Sequence, residues 1–442
     1  MKLPILNELK KHTKGLFVLF FLEVWERFSY YGMRAILVLF LVSNKNEANP
    51  GMGWDQNNAL ELYGWYTALV YIACIPGGFI SDKFLGKKRS LMVGGWLLCF
   101  GHLSLALQSN FFFFLGLVLI ILGVGLLKPN ISSLVGHLYS KKNDLREQGF
   151  TIFYIGINIG AFLSSIIVGF IGEYYGWHYG FSIAGLGMVI GQIVFLNGSK
   201  HIIDYSEIRD ERVTTKFQGA FKMTKIESDR LKVLIISFLI IIIFWASFEQ
   251  AGGLMNLYAF EKTDRTISFL NNWIFPASWF QSVNPLMIII FGLPISSFWL
   301  KLKKQGYETS SIFKMIIGLA IMGTGFIFMY FASNESSQYG KSAMYWIFLA
   351  YFFHTIGELC ASPVILSFIT KLAPLKYVSS IMGIYFASIG IGNKFAGMIG
   401  QSSQEYGESE IFFMIFTFCL MISLLLIFFI KKLNRLCHNA DI

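Results

Sequence analysis

The amino-acid sequence predicts an all-α membrane protein that crosses the bilayer twelve times and keeps both termini in the cytoplasm. Three observations lead to this prediction. Of the 442 residues, 55% are hydrophobic and only 14% are charged, whereas about a quarter of the residues in soluble domains are charged. Apolar runs recur at about the 20 residues needed to cross a bilayer. Lys and Arg concentrate in both tails and in alternate loops, which is the positive-inside pattern.

Hydropathy divides the chain into twelve apolar segments, six on each side of one long polar stretch. We predict a first six-helix bundle at 1–197, a cytoplasmic linker at 198–231 and a second six-helix bundle at 232–442. The linker is too short and too polar to hold an additional pair of membrane helices. The twelve segments lie at about 15–43, 59–81, 90–108, 111–138, 149–173, 178–197, 232–259, 279–300, 309–333, 342–371, 376–401 and 410–430.

The composition also excludes several classes of function. The net charge of +10 follows from topology, so no nucleic-acid partner is expected. The five cysteines show no CxxC spacing, and we expect neither a metal nor a cofactor. The sequence lacks a P-loop and an HExxH pattern, which argues against an ATP-driven pump and against an intramembrane enzyme. Two six-segment halves favour a secondary carrier over a channel or a receptor.

The first segment contains the stretch "FLEVWERFSYYGMR" at residues 21–34, which is unusually rich in charge for a membrane helix. At 100° per residue, its six polar side chains fall within an arc of roughly 140° on one face. Charges inside a membrane are costly and usually mark a substrate path or a proton relay. A structural ion-pair cluster is the alternative. The six residues are Glu23, Glu26, Arg27, Tyr30, Tyr31 and Arg34.

The loop "GGFISDKFLGKKRS" after the second segment resembles the loop motif of major-facilitator carriers. Its glycine pair would allow backbones to approach closely, and its acid could form a charge latch with the basic cluster. An ordinary basic cytoplasmic turn is the alternative interpretation. The residues of this predicted structural loop are Gly77, Gly78, Asp82, Gly86 and Arg89.

Three further ionisable residues lie within later apolar segments. Lys128 precedes Pro129, where a helix can kink and open backbone groups toward a cavity. Glu249 and Glu358 are isolated acids of segments 7 and 10. A buried carboxylate of this kind can take up a proton on one side of a membrane and release it on the other. His102 and His354 are expected to be packing residues.

Six motifs together carry a more specific resemblance. The first is "ExxERFxYYG" from Glu23 to Gly32, and the others follow in order along the chain. They are similar to the signatures of the proton-coupled oligopeptide transporters, a branch of the major-facilitator superfamily. The remaining five are "GVGLLKPNISSLVG", "FTIFYIGINIGAF", "FWASFEQAG", "QSVNPL" and "IGELCASPV".

The resemblance implies a major-facilitator fold and import of di- and tripeptides with protons by alternating access. It implies that Arg34 and Lys128 bind the peptide carboxylate and that Glu358 binds the amino group. Asn158 and Asn284 would serve the peptide backbone. The remaining substrate contacts that it implies are Tyr30, Tyr31, Tyr71, Trp245, Ser362 and Tyr385.

Proton coupling, by the same resemblance, would depend on Glu249 and on the cluster of Glu23, Glu26 and Arg27. Protonation of Glu249 would release Arg34 for the substrate. The chain is expected to be a monomer in the plasma membrane, the inner membrane of a bacterium, with peptides, protons and lipid as its partners. Nitrate or another small organic anion is the alternative substrate. Lys394, a cation in segment 11, has no assigned role.

Overall fold

The structure, a computed structural model, describes residues 12–139, 145–202, 224–374 and 378–438. It is helical, and each predicted apolar segment corresponds to at least one helix. The helices are α1 (Lys14–Val42), α2 (Gln56–Ile72), α3 (Cys74–Ile80), α4 (Lys87–Leu105), α5 (Asn110–Leu138), α6 (Arg146–Tyr174), α7 (Trp177–Gly198), α8 (Lys225–Phe248), α9 (Leu254–Glu261), α10 (Phe280–Lys304), α11 (Ser311–Tyr339), α12 (Tyr345–Leu372), α13 (Val378–Tyr406), α14 (Glu408–Phe428) and α15 (Ile430–Leu436).

Nine helical stretches of the described residues are long and apolar enough to cross a membrane. Three other long helices, α1, α4 and α13, fall outside this set. In α1 the reason is charge, since every window of 18 residues contains at least three of its ionisable side chains. The count of twelve crossings therefore stays a prediction.

Two predicted segments are interrupted. Segment 2 begins as α2 and α3 and ends in a π-helical turn, Ser81–Leu85. Segment 7, predicted as one helix over 232–259, ends its first part at Phe248 and passes through a 3-10 turn, Glu249–Ala251, before α9. Helix α8 begins at Lys225, seven residues earlier than predicted, because Thr224 and Glu227 form a capping box at its N-terminus.

Four strands of two residues each qualify the all-α prediction. Strand β1 (Thr263–Asp264) pairs in parallel with β4 (Ser342–Ala343), and β2 (Thr266–Ile267) pairs antiparallel with β3 (Trp273–Ile274). The turn of the β2–β3 hairpin places Asn271 and Asn272 at φ values of 54° and 55°, a region that asparagine tolerates. Pairs this short lie outside what hydropathy can detect.

The chain forms two compact units, of which the first comprises residues 1–36 and 69–219. Within it, α4 packs against α5 and α7. Glycines allow the close approach, because a Cβ at Gly94 would lie 2.8 Å from the carbonyl oxygen of Gly123. Small residues commonly permit such packing between membrane helices.

The second unit comprises residues 37–68 and 220–442. Helix α11 packs against α12 and α14, and α8 packs against α13. A Cβ at Gly318 would lie 2.6 Å from the carbonyl oxygen of Gly357. The domain limits predicted from the sequence stay a prediction, and residues 203–223 of the predicted linker lie outside the described residues.

Candidate functional site

In the first unit, three charged side chains of α1 form a buried ion-pair cluster. The Nε atom of Arg27 lies 3.0 Å from Oε1 of Glu23 and is also paired with Oε2 of Glu26. The three side chains are at most 4% exposed. Two carboxylates share one guanidinium, so the cluster carries one negative charge until a proton or a further cation balances it.

Two tyrosines border this cluster on the same helix. The guanidinium carbon of Arg27 lies 5.9 Å from the ring centre of Tyr30 and 5.8 Å from that of Tyr31. Arg34 lies on the other side of Tyr31, at 4.9 Å from the same ring centre. Tyr31 therefore contacts two cations, and such cation–π contacts hold long basic side chains in a defined position.

Lys128 completes the polar group of the first unit. Its Nζ atom lies 3.6 Å from the ring centre of Tyr71, and it is close enough to interact electrostatically with Glu23, Arg27 and Tyr31. The structure thus places Lys128 beside the charged stripe of α1, although about a hundred residues separate them in the sequence.

In the second unit, Glu249 lies in the 3-10 turn that interrupts segment 7 and is 4% exposed. Its Oε1 atom accepts a hydrogen bond of 2.6 Å from the hydroxyl of Tyr63. The neighbouring Gln250 donates to the carbonyl oxygen of Ala396 on α13, at 3.0 Å. Sequence reasoning missed Tyr63, because 186 residues separate it from Glu249 and nothing in its local pattern marks it.

Glu358 of α12 lies next to the amide of Asn284 on α10. The Nδ2 atom of Asn284 donates to Oε2 of Glu358 at 2.8 Å and to Oγ1 of Thr355 at 3.1 Å. Two residues predicted to bind the peptide from different motifs therefore contact each other. Thr355 was not predicted, although its position three residues before Glu358 places it on the same helical face.

The other predicted substrate residues have local contacts. The amide of Asn158 donates to the carbonyl oxygen of Tyr154 within α6, at 3.0 Å. Trp245 packs edge-to-face against Phe248, with ring centres 5.4 Å apart. The ring of Tyr385 contacts its neighbour along the chain. Within the described part of the chain, the buried hydroxyl of Ser362 makes no hydrogen bond.

The predicted structural loop contacts α5. A Cβ at Gly77 would lie only 2.0 Å from the carbonyl oxygen of Gly125, whereas the nearest atom to a Cβ at Gly78 lies 4.0 Å away. The carbonyl of Gly125 is the one that Pro129, lacking an N–H, cannot pair with. Gly86 has a φ of 75°.

Two contacts of this loop were not predicted. The hydroxyl of Ser81 donates to Oδ1 of Asn130 at 2.8 Å, and Nζ of Lys87 donates to Oγ of Ser133 at 2.5 Å. Both partners belong to the "KPNISS" stretch of segment 4. Asp82 lies in the π-helical turn and Arg89 in the first turn of α4; the charge latch between them stays a prediction.

The residues without an assigned role are also located. His102 and His354 are at most 1% exposed, and the ring of His354 packs against Phe326 at 4.5 Å. The Nζ atom of Lys394 lies 4.4 Å from the ring centre of Trp65. This aromatic neighbour of Lys394 was not predicted from the sequence.

Comparisons with known proteins agree on one family. The family model described as "PTR2: POT family" matches residues 88–225 and 207–409. The chain is 36% identical to "Uncharacterized transporter YclF" of Bacillus subtilis (strain 168), over 85% of each chain. It is 31% identical to "Peptide transporter YePEPT" of Yersinia enterocolitica subsp. palearctica serotype O:3 (strain YE-P4), over 97% of this chain and 96% of the relative.

Solved structures give the same result. The fold matches a crystal structure of a mutant peptide transporter POT in complex with alafosfalin, with a TM-score of 0.87, 33% identity and 96% of each chain covered. It also matches a POT family transporter in complex with 5-aminolevulinic acid, with a TM-score of 0.84 and 30% identity, over 96% of this chain and 97% of that structure. The named relatives are transporters and not enzymes.

Proposed function

The chain belongs to the POT family, and on that premise we propose that it is a proton-coupled symporter that imports di- and tripeptides by alternating access. The observation that carries the proposal is the arrangement of fixed charges in each unit. The first unit holds the cations Arg34 and Lys128 against aromatic rings. The second unit holds Glu358 beside the Asn284 amide. A zwitterionic peptide needs both signs of charge.

The two ends of the peptide are recognised by unlike charges. Arg34 and Lys128 bind the carboxylate, and Glu358 binds the amino group. Asn158 and Asn284 hydrogen-bond to the backbone, since an amide offers both a donor and an acceptor. The side-chain pockets are formed by Tyr30, Tyr31, Tyr71, Trp245, Ser362 and Tyr385.

Protons are carried by two groups of acids. Glu249 accepts a hydrogen bond from the neutral hydroxyl of Tyr63, a donor that can stay in place when the carboxylate takes up a proton. Its protonation releases Arg34 for the peptide carboxylate. The cluster of Glu23, Glu26 and Arg27 has one carboxylate more than cations, and it forms a second, linked site for a proton.

The chain works as a multi-pass carrier in the bacterial inner membrane. We propose twelve crossings in two six-helix bundles, at 1–197 and 232–442, with both termini in the cytoplasm and the linker 198–231 between them. The nine apolar spans and the three long helices α1, α4 and α13 support this count. A monomer is the proposed functional state.

A peptide is favoured over nitrate or another small organic anion. An anion would gain nothing from a carboxylate such as Glu358 in its site. Relatives are named as peptide and di-/tripeptide transporters. 5-aminolevulinic acid, held by one solved neighbour, has an amino group and a carboxyl group, as a peptide has at its ends.

The decisive experiment separates proton coupling from substrate binding. Purified protein is placed in liposomes, and uptake of labelled dialanine is measured with and without an inward proton gradient. We expect Glu249→Gln to lose gradient-driven accumulation and to keep exchange of internal for external peptide. Glu405→Gln, which changes an exposed acid of α13, should keep both. Full gradient-driven accumulation by Glu249→Gln would overturn the assignment of this residue.

A second measurement tests the substrate class. Dialanine, N-acetyl-dialanine and nitrate compete for uptake of labelled dialanine. The wild-type protein should prefer dialanine over its acetylated form at least tenfold, and Glu358→Gln should lose most of this preference because the acetyl group removes only the amino charge. Competition by nitrate equal to that by dialanine would favour the anion carrier.

A further inference from the structure

A cavity of about 300 Å³ lies among α10, α11 and α12 of the second unit, apart from the residues assigned to the peptide. Helix α10 contributes Trp299 and Lys303, α11 contributes Lys314, and α12 contributes Leu359 and Cys360. The cavity lies at the lysine-rich end of α10, whose last turn carries three lysines. Lysines clustered at the end of an apolar helix are expected at the boundary between the membrane and water.

The polar groups in the lining are cationic or donate hydrogen bonds. Lys303 and Lys314 both line the cavity, and none of its described lining residues is acidic. The Nζ atom of Lys314 lies 5.5 Å from the ring centre of Trp299. Among the described residues, the buried indole N–H of Trp299 has no acceptor other than the weakly accepting thiol sulfur of Cys360 beside it. An oxyanion would fit this set of donors.

Apart from the hydroxyl of Ser296, the rest of the lining is apolar. Leu300, Leu359, Pro363 and Val364 form this apolar wall. Only 22% of the most apolar stretch of the membrane span that contains α10 is buried within the protein, and Leu300 is 55% exposed. The cavity therefore joins a cationic end to an apolar surface, a combination that suits an amphiphile and not a small hydrophilic anion.

Helix geometry turns this cavity away from the candidate peptide site. At 100° per residue, Leu359, Cys360 and Pro363 are rotated by about 100°, 200° and 140° from Glu358 on α12. The Glu358 side chain lies on another face of the helix, beside Asn284. A ligand in the cavity would consequently contact neither Glu358 nor its partner.

We propose that this cavity binds an anionic phospholipid of the leaflet that faces the lysine-rich end of α10. Its phosphate lies between Lys303 and Lys314 and accepts a hydrogen bond from the indole N–H of Trp299, while an acyl chain lies along Leu300, Leu359 and Val364. Basic pockets between membrane helices are suited to such headgroups. By the positive-inside pattern, the leaflet is the cytoplasmic one.

The test measures the thermal stability of the full chain in detergent. Phosphatidylglycerol, phosphatidylcholine or inorganic phosphate is added to wild-type protein, and Tm is followed by tryptophan fluorescence. We expect phosphatidylglycerol to raise Tm by about 2–4 °C, and phosphatidylcholine and phosphate to leave it unchanged. The double variant Lys303→Gln/Lys314→Gln should lose the increase.

The matched control is Lys301→Gln/Lys304→Gln, which removes two charges from the same helix end but none from the described lining. It should keep the increase in Tm. An equal loss in the control would overturn the proposal in favour of general surface electrostatics. An equal increase produced by inorganic phosphate would overturn it in favour of a soluble anion.

A second measurement keeps the proposal testable if the double variant is too unstable to purify. Native mass spectrometry counts the phosphatidylglycerol molecules retained by Lys314→Arg and by Lys314→Gln. The arginine variant should retain the lipid, and the glutamine variant should lose at least half of it. Equal retention by both variants would overturn the proposal, and neither measurement depends on transport.

Discussion

The acids of α1 and the acids of the second unit are held in different ways. Glu23 and Glu26 are paired with the guanidinium of Arg27. Glu249 accepts a hydrogen bond from a tyrosine hydroxyl, and Glu358 accepts one from an asparagine amide. Removing a cation from a buried carboxylate leaves an uncompensated charge, whereas removing a neutral donor leaves one hydrogen bond unmade.

This difference implies a division of tasks. The cluster on α1 is expected to be a structural necessity as well as a proton site, since its charges depend on one another. Glutamine in place of either acid of the second unit keeps an oxygen that can accept the same hydrogen bond, so these substitutions should report on transport. The following predictions test this contrast, from the largest expected effect to the smallest.

We expect Arg27→Gln to have the largest effect. It leaves two carboxylates that are at most 4% exposed without their cation, which typically destabilises a protein by about 3–5 kcal/mol. The free energy of unfolding, or Tm in detergent, should fall accordingly. The triple variant Glu23→Gln/Glu26→Gln/Arg27→Gln removes all three charges and should be more stable than the single variant. If the triple variant proved the less stable of the two, the contrast would fail.

Asn284→Leu should mainly weaken peptide binding. Without the amide, the Glu358 carboxylate can adopt orientations in which it does not bind the peptide amino group. Because the lost hydrogen bond involves a charged group, we expect KM for dialanine to rise about tenfold. Thr355→Val is the matched control, since it removes the other acceptor of the Asn284 amide and should change KM less than about twofold. An equal effect of both changes would show that general packing, and not Glu358, determines binding.

Tyr63→Phe should reduce gradient-driven uptake a few-fold while leaving peptide exchange unchanged, because Glu249 loses this hydrogen-bond donor. Initial rates of dialanine uptake into liposomes measure this effect. Tyr258→Phe, which removes a buried hydrogen bond to Ser342 in the same unit, should leave both rates unchanged. A reduction in exchange equal to that in gradient-driven uptake would contradict a role of Tyr63 in coupling.

The smallest expected effect on stability is that of changing Asp55. This acid lies just before α2 and is exposed to water, in contrast to the buried acids of the membrane helices. The backbone N–H of Asn58 donates to its Oδ1 at 2.9 Å, and this bond lowers the pKa of Asp55. An acid with a lowered pKa stabilises the fold above its unfolded value of about 3.9, and this stabilisation is lost as the pH falls through the folded value. Wild-type Tm should exceed that of Asp55→Ala slightly at pH 7, and the difference should shrink as the pH falls below the unfolded value of about 3.9. A difference of constant size would contradict this explanation.

Family and helical character could both be predicted from the sequence. The resemblance based on six motifs is confirmed by the family match. The breaks within segments 2 and 7 could not be predicted from hydropathy. The residues on both sides of the turn Glu249–Ala251 are as apolar as those of the helix that the turn interrupts. The neighbours of Glu249 and Lys394 were missed for a related reason, because hydropathy describes one segment at a time.

The sequence alone determined which segments are apolar, where the charges lie along the chain and which family the motifs belong to. These properties are local, so they can be added up residue by residue. Only the tertiary structure decided which of two adjacent glycines is needed, since Gly77 meets the carbonyl of Gly125 and Gly78 meets nothing closer than 4.0 Å. It also decided that Glu249 is held by Tyr63 and Glu358 by Asn284. Such pairings depend on the rotation and height of helices that are distant in the chain, and no local pattern records them.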